Sequence, residues 1–249
     1  MSAAQMGSTR QKRALKIPSP HRKGNIKVPY DGWLECARVV LIEEGIGMVK
    51  IDRLAKRLKV TRGGFYYHFE NSRALLEALL KLWRTSNRFT PTNPHLPTPQ
   101  AALETLDAVA DTIIHERGFD PQFDMAVREW ARISTPVEAV VREVDEERIR
   151  TMRKIFQAIG CRPKEAEIRA RVFYYHQVGQ YALGIRETTR TREKKLPIYL
   201  SVLCGASYDK AKAGASGRAP GELRKNGEHW RRYARHTAPP AVVNETVSP

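Results

Sequence analysis

Cysteine is scarce in this 249-residue sequence: Cys36, Cys161 and Cys204 stand far apart and show no CxxC or Cys/His spacing. That pattern argues against a zinc site and fits a reducing cytosol, so we predict a cytoplasmic protein whose cysteines are small buried hydrophobic residues. No run approaches the ~18 to 20 apolar residues that span a bilayer. No apolar segment follows the basic N-terminal residues as in a secretory signal. We therefore expect neither a membrane partner nor secretion.

The sequence also lacks the short motifs of common enzyme classes. It contains no G-x-S-x-G, no P-loop, no H-E-x-x-H and no dinucleotide-binding glycine pattern. His115 lies next to Glu116, and His176 lies among tyrosines, but neither histidine has a nucleophile or a carboxylate pair nearby in the sequence. We predict a protein that is not an enzyme, with no catalytic residue, no metal site and no cofactor.

Acidic residues are absent from positions 1–29, which hold seven Lys or Arg. The formal net charge is +16, and residues 1–73 contribute +9 of it, from 15 Lys/Arg against 6 Asp/Glu. A basic first third followed by a nearly neutral remainder suits a domain that faces a polyphosphate. Because helix breakers interrupt residues 1–29, we expect a disordered basic arm there. This arm either lies along DNA, on phosphates or in the minor groove, or is an idle tail.

The segment from Lys50 to Phe69, KIDRLAKRLKVTRGGFYYHF, predicts two short helices joined by a tight turn. In the first helix, Leu54, Ala55 and Leu58 form an inner apolar stripe. We expect the Thr61 hydroxyl to cap the second helix, whose Phe65 and Phe69 would pack against the first. The side chains that remain outward are polar or absent, which is the layout of a recognition helix that enters a major groove. The alternative is a solvated helical hairpin in any all-α protein.

The flanking segments make the pattern specific. Upstream, WLECARVVLIEEG places Trp33, Ala37 and Leu41 on one helical face, with Gly45 at its end. Downstream, NSRALLEALLKLW begins with a cap at Asn71 or Ser72. In this order and register, residues 31–83 closely resemble the N-terminal domain of the TetR (tetracycline-repressor) family of transcriptional regulators. The resemblance implies a three-helix helix-turn-helix domain over residues 30–88 that contacts DNA through Lys50, Arg53, Thr61, Arg62, Gly63, Gly64, Tyr66, Tyr67 and His68.

The rest of the chain predicts a second, helical domain over residues 98–204. Four prolines between positions 91 and 99 favour an extended connector. Caps followed by proline predict new helices at Thr98 and Asp120, and Thr135 to Glu138 reads as a capping box. We expect these helices to end at Gly118, at about residue 133 and at Gly160. A further helix would run from Pro163 to about residue 187, a terminal one would cover residues 196–203, and residues 205–249 would form a mostly disordered tail.

Residues 119–187 also resemble the regulatory half of one TetR branch, at FDMAVREWAR and at EAEIRARVFYYHQVGQYALG. The resemblance implies an all-α regulator that binds a palindromic double-stranded DNA operator as a homodimer and is released by a small hydrophobic or aromatic effector. We expect the long helices at 136–159 and 163–187 to form a four-helix dimer interface. The alternative is a DNA-binding adaptor or architectural protein whose C-terminal helices bind a protein and no small ligand. The residues predicted to contact the effector are Phe123, Val127, Trp130, Phe173, Tyr174, Gln177 and Tyr181.

Overall fold

The structure, a computed structural model, describes residues 27–205, and every regular element within that range is helical. The predicted all-α fold is therefore confirmed, with a helix-turn-helix domain first and a helical domain after it. Most of the predicted basic arm and nearly all of the predicted tail lie outside the described residues. A single turn of 3₁₀ helix at Ile46–Met48 separates the first two α-helices. The α-helices are α1 (Tyr30–Glu44), α2 (Ile51–Leu58), α3 (Gly63–Tyr66), α4 (Ser72–Ser86), α5 (Pro99–His115), α6 (Pro121–Ala131), α7 (Thr135–Ile159), α8 (Pro163–Ala182) and α9 (Thr189–Cys204).

Three helices begin, as predicted, with a capping side chain that accepts a hydrogen bond from a backbone N–H of the first turn. The Oδ1 atom of Asn71 accepts from the Ala74 N–H at 3.0 Å, and the Thr98 hydroxyl accepts from the Ala101 N–H at 3.1 Å. Asp120 accepts from two backbone N–H groups at the start of α6. Each cap satisfies N–H groups that have no partner inside the helix.

Five predicted helix boundaries are wrong, and one of them is the start of α9, which begins at Thr189 instead of residue 196. Thr61 and Thr135 do not cap: α3 starts at Gly63 and α7 at Thr135, both without a side-chain hydrogen bond at the cap. Helix α5 ends at His115 because Glu116 turns into the left-handed region at φ 55°, two residues before Gly118. Helix α8 ends at Ala182 rather than near residue 187. In each case the spacing of residues indicated that a helix boundary lay nearby. The backbone geometry of the turn placed that boundary at a different residue.

The apolar side chains of the described residues pack in two clusters. The first joins α1, α2, α3 and α4 with α6 and the beginning of α7 around the fully buried Trp33, Leu54, Leu79 and Trp83. The second joins α5, the rest of α7, α8 and α9 around residues such as Met152, Phe156 and Phe173. Helix α7 thus contributes to both clusters and ties the C-terminal helices to those of the helix-turn-helix region.

No helix within residues 27–205 has both the length and the apolar composition that crossing a membrane would require.

Candidate nucleic-acid interface

The turn between α2 and α3 is set by a backbone reversal at Lys59. This residue adopts the left-handed conformation, with φ 57° and ψ 38°, and the Val60 N–H donates to the Ala55 carbonyl at 3.0 Å. A bond that spans five residues in this way is the Schellman closure of a helix end. It turns the chain sharply enough for α3 to start at Gly63, only a few residues after α2 ends.

Aromatic packing holds α3 against the domain. Phe65 is fully buried, with its ring edge-on to Trp33 at 5.5 Å and stacked near Phe69 at 5.3 Å between ring centroids. These centroid distances lie in the range in which aromatic pairs attract beyond simple burial. The predicted inward role of Phe65 and Phe69 agrees with their burial, and this packing supports α3, which is only one turn long.

The other side of α3 is open to solvent. Tyr66 is 58% exposed and Tyr67 is 85% exposed. Arg62 and the two glycines that begin the helix are also exposed, and so are Thr61 and Lys50. Large aromatic side chains are seldom left this uncovered, so two neighbouring ones beside an arginine mark a surface that binds something.

Ion pairs connect this surface to acidic residues of the same domain. The Arg62 Nε atom lies 3.3 Å from Asp52 Oδ1, and Arg53 pairs with Glu44. Arg57 pairs with Glu43 at 2.7 Å. These pairs are solvent-exposed and therefore weak, so a phosphate can replace the carboxylate at modest cost.

His68, one of the predicted groove contacts, makes a hydrogen bond within the chain. Its ring is half-buried, and its Nε2 atom donates to the backbone carbonyl of Val28 at 2.9 Å. The donor is thereby occupied within the chain. His68 holds the segment before α1 beside the end of the recognition helix, an arrangement that the sequence did not reveal because the two residues are 40 positions apart. Lys56 of α2 and Lys59 just after it are also exposed, and neither was among the predicted DNA contacts.

The residues predicted to contact an effector lie in three different surroundings. Phe123, Val127 and Trp130 are buried in the first cluster, against α1 and α4. Phe173 and Gln177 line a cleft between α5, α8 and α9, and Tyr181 lines a neighbouring open groove. Tyr174 is buried and belongs to a charged network. The structure therefore does not bring the seven residues together in one cavity.

The charged network is centred on Asp124, a buried carboxylate of α6. It accepts hydrogen bonds from Arg128 Nε at 2.9 Å, from Arg148 Nη1 at 3.2 Å and from Trp83 Nε1 at 3.1 Å. Burial by itself raises the pKa of Asp124, but attraction and hydrogen bonds from Arg148 and Arg128 outweigh it and leave the pKa below its ordinary value. Asp124 is therefore ionised at neutral pH.

The same network continues from Asp124 to other helices. Arg128 makes two hydrogen bonds to Asp145, at 3.0 and 2.7 Å, and the Tyr174 hydroxyl donates to Asp145. Arg148 donates to the Asn87 carbonyl at 2.8 Å, and its guanidinium lies 4.9 Å from the Phe89 ring centroid. The network thus links α4 and the residues that follow it to α6, α7 and α8.

The cleft that holds Phe173 and Gln177 has a free volume of about 40 Å³. The neighbouring groove is open, measures about 970 Å³, and runs between Ile42 of α1, helix α6 and the segment after α8. The Gln177 Oε1 atom is buried and has no hydrogen-bond partner within the described residues. Burial lowers the pKa of His176, which also lines the cleft, and a weaker attraction from Glu187 acts against this. The cleft therefore offers a mostly apolar lining with one unused acceptor, and Glu187 and Arg192 also line it.

Sequence comparison identifies the N-terminal segment. Residues 34–79 match the family described as bacterial regulatory proteins, tetR family. The transposon Tn10 TetC protein of Escherichia coli is 38% identical to this chain over 61 residues, which are 24% of this chain and 31% of TetC. The chain thus matches less than a third of the length of that relative. The segment around α2 and α3 is therefore similar to the helix-turn-helix domain of tetR-family regulators.

Several solved structures are similar to this chain at low sequence identity. BioQ bound to its natural double-stranded DNA operator is 20% identical, with 71% of this chain and 98% of that chain covered and a TM-score of 0.40. BioQ of Mycobacterium smegmatis is 22% identical with the same coverage and a TM-score of 0.37. TetR from Acinetobacter baumannii AYE is 23% identical, with 77% and 96% covered and a TM-score of 0.33.

Proposed function

We propose, because residues 34–79 belong to the tetR family of bacterial regulatory proteins, that this chain represses transcription. In this proposal it binds a palindromic operator as a homodimer and leaves it when a small hydrophobic effector binds. The observation that carries the DNA-binding part is the exposed face of α3, with Arg62, Tyr66 and Tyr67 outward and Phe65 fully buried behind them.

The chemistry of this face suits a major groove. Arginine donates two hydrogen bonds to the O6 and N7 atoms of guanine, which is the most common specific protein–DNA contact. Tyrosine hydroxyls reach phosphates or base edges, and the uncovered backbone at Gly63 and Gly64 allows close approach to the duplex. Lys50 and Arg53 of the preceding helix would then contact phosphates and set the orientation of the domain.

Selection of bound duplexes from a random pool, followed by footprinting of the full chain, tests this proposal. We expect the selected sequences to converge on an inverted repeat, and the protection to cover two half-sites spaced by about one helical turn or a multiple of it. Binding of every duplex with equal affinity at a fixed salt concentration would contradict sequence-specific recognition.

The homodimer is supported by uncovered apolar side chains on α8 and α9. Ile168, Val172 and Tyr175 are exposed at helical spacing on α8, and Ile198 and Val202 are exposed four residues apart on α9. A Cβ atom added at Gly179, on the same face of α8, would meet nothing within 4 Å, so this helix has room for a neighbour. By contrast, the apolar stripe of α7 is buried within the subunit. We therefore propose that α8 and α9, rather than α7 and α8, form the interface.

A charge placed on this stripe should dissociate the dimer. We expect Val172→Arg to sediment as a monomer at micromolar concentration while the unmodified chain sediments as a dimer, because an arginine cannot be desolvated between two apolar faces. Ile133→Arg is the matched control, since Ile133 is 76% exposed but lies between α6 and α7. A monomeric unmodified chain, or equal dissociation of both variants, would exclude this interface.

The effector site that we propose is the cleft beside Phe173 and Gln177. Its lining is apolar apart from a few polar groups, which is the usual character of a small-molecule site. An effector with an N–H or O–H donor would satisfy the Gln177 Oε1 atom, which otherwise remains buried without a partner. A free volume of about 40 Å³ is too small for such a molecule. The effector must therefore open the cleft by moving α8 or α9, and that movement supplies the coupling to DNA.

Titration with a library of apolar molecules that carry one hydrogen-bond donor tests this site, with release of labelled operator as the measurement. We expect Gln177→Leu to weaken the response to an active compound by about 10-fold or more, because a donor buried without its acceptor loses free energy. Gln157→Leu is the control, since Gln157 is exposed on α7. An active compound that acts equally on both variants would place the effector elsewhere, and a library without any active compound would contradict release by such an effector.

A further inference from the structure

Arg192 lies where the small cleft meets the open groove. It lines both cavities, and so do Gln180 and Glu187. Its side chain belongs to the first turn of α9 and is only 13% exposed. Because an arginine side chain stays protonated in proteins, this burial places a permanent cation between a mostly apolar cavity and an opening to solvent. A molecule that passes from the groove into the cleft would meet this charge.

The guanidinium of Arg192 has weak partners among the described residues. Its Nη2 atom donates to the Tyr181 hydroxyl at 3.1 Å and its Nη1 atom to the Ile114 carbonyl at 3.4 Å, and both acceptors are neutral. The nearest carboxylate within residues 27–205 is that of exposed Glu116, at 3.6 Å. Charge-assisted N–H···O bonds measure about 2.7–2.9 Å. A largely buried cation with such distant partners is stabilised when an anion comes closer.

The other titratable residues of the cleft lining do not carry a comparable charge. Glu187 pairs with Lys195 of α9, so its carboxylate is compensated within the chain. Burial lowers the pKa of His176, against a weaker attraction from Glu187, so this ring is uncharged at neutral pH. The weakly compensated charge of the cleft is therefore positive.

We propose that the effector is an apolar carboxylic acid, whose ionised carboxylate binds Arg192 while its apolar body enters the cleft. This inference rests on the proposed function and specifies the chemical class of its effector. A guanidinium and a carboxylate form two parallel hydrogen bonds, which the separate oxygens of Tyr181 and Ile114 do not match. The donor that satisfies Gln177 then belongs to the apolar body, since the carboxylate itself only accepts.

The contacts that a carboxylate would replace join three helices. Arg192 belongs to α9, Tyr181 to α8 and Ile114 to α5. A carboxylate that accepts from both Nη atoms of the guanidinium removes the bonds that hold the start of α9 to the other two helices. The effector thereby contributes to the opening of the cleft, which the small free volume of the cleft requires.

Two matched sets of small molecules test this class by calorimetric titration of the full chain at neutral pH. One set is octanoate, octanol and octylamine, and the other is naphthoate, naphthalenemethanol and naphthylmethylamine. Within each set the apolar body is constant and the end group differs, so the comparison isolates the contribution of Arg192. We expect the carboxylate of at least one set to bind about 10-fold or more tightly than its alcohol and its amine, because hydrogen bonds to charged groups are stronger than neutral ones.

Variants of α9 assign this preference to one side chain. Arg192→Gln should bind the carboxylate and the alcohol equally, whereas Arg192→Lys should keep part of the preference because it keeps the charge without the paired donors. Arg190→Gln is the matched control, since Arg190 is exposed on the same helix, and it should keep the full preference. The measurement is a ratio of two affinities, so a loss of packing that weakens both ligands does not change it.

The outcomes distinguish this inference from the function on which it rests. If the full chain binds no duplex specifically, the proposed function fails whatever the ligands do. If the operator is bound but neither carboxylate binds better than its alcohol, the effector is not an acid held by Arg192. Tighter binding of the amines would assign recognition to the carboxylates of the lining, and an unchanged acid preference in Arg192→Gln would place the anion elsewhere. Either result overturns the inference.

Discussion

Asp124→Ala should destabilise the protein by about 3–5 kcal/mol, one of the two largest effects that we expect. The reason is that removal of one partner of a buried ion pair leaves the other charge desolvated without compensation. Arg148, which is 4% exposed, and Arg128 would both lose their contact with this carboxylate, and Trp83 Nε1 would lose its acceptor. Urea unfolding at neutral pH measures the change.

An exposed ion pair between α4 and α7 is the matched control for this prediction. Arg84 and Glu143 lie 2.7 Å apart with 40% and 60% of their side chains exposed. Glu143→Ala should therefore cost less than about 1 kcal/mol. If the two substitutions have equal effects, the buried network does not stabilise the protein as we expect.

The Asp124 network also predicts a direction for the pH dependence of stability. The pKa of Asp124 is lower in the folded chain than its ordinary value, so the unfolded chain takes up the proton first as pH falls. The stabilisation is complete above the ordinary aspartate pKa of about 4 and is lost as pH falls through that value and below. The unmodified chain should thus lose more stability between pH 6 and about pH 3 than Asp124→Ala does. Parallel losses would contradict an ionised Asp124 in the folded state.

The network has a consequence for regulation as well. Trp83 and Asn87 belong to α4 and its end, while Asp124, Asp145 and Tyr174 belong to α6, α7 and α8. Within residues 27–205, helix α4 continues directly from the helix-turn-helix region into these contacts. In the proposed mechanism, a shift of α6 would be transmitted towards α3 through α4 and also through α1, which packs against both α6 and Phe65 of α3.

Phe65→Ala should destabilise the protein by about 3–5 kcal/mol, the second of the large effects, because it leaves a cavity under α3. Phe65 is fully buried and contacts Trp33 and Phe69. Since its ring packs edge-on against Trp33 of α1, closing the cavity would require α3 to move towards α1. Thermal unfolding followed by circular dichroism measures this loss.

The outward side of the same helix should behave in the opposite way. Arg62→Ala combined with Tyr67→Ala should change stability by less than about 0.5 kcal/mol, since both side chains are exposed. Operator affinity should fall by roughly 10-fold or more, because a good base-edge contact contributes about 1–3 kcal/mol. Unchanged operator affinity in this double variant would show that α3 does not contact the operator. Unchanged stability in Phe65→Ala would show that Phe65 does not support α3.

The local spacing of residues in the sequence by itself determined several helix starts and the buried sides of α2 and α3. The caps at Asn71, Thr98 and Asp120 depend on a side chain and an N–H group two or three residues away, so the sequence contains both partners. The inner stripe of α2 and the burial of Phe65 follow from helical periodicity in the same way. For this reason the all-α fold and the helix-turn-helix were predictable before any contact between helices was known.

Contacts between distant residues were decided only by the tertiary structure. His68 Nε2 donates to the Val28 carbonyl, 40 positions earlier, and helical periodicity gave no indication of this contact. Phe123 and Phe173 share an aromatic character, but one packs towards α1 and α4 and the other lines the cleft beside α9. Tyr174 is next to Phe173 in sequence, yet its hydroxyl donates a hydrogen bond to Asp145 in the charged network. Helical periodicity tells which side of a helix is apolar, whereas the neighbour that covers that side depends on how all the helices pack together.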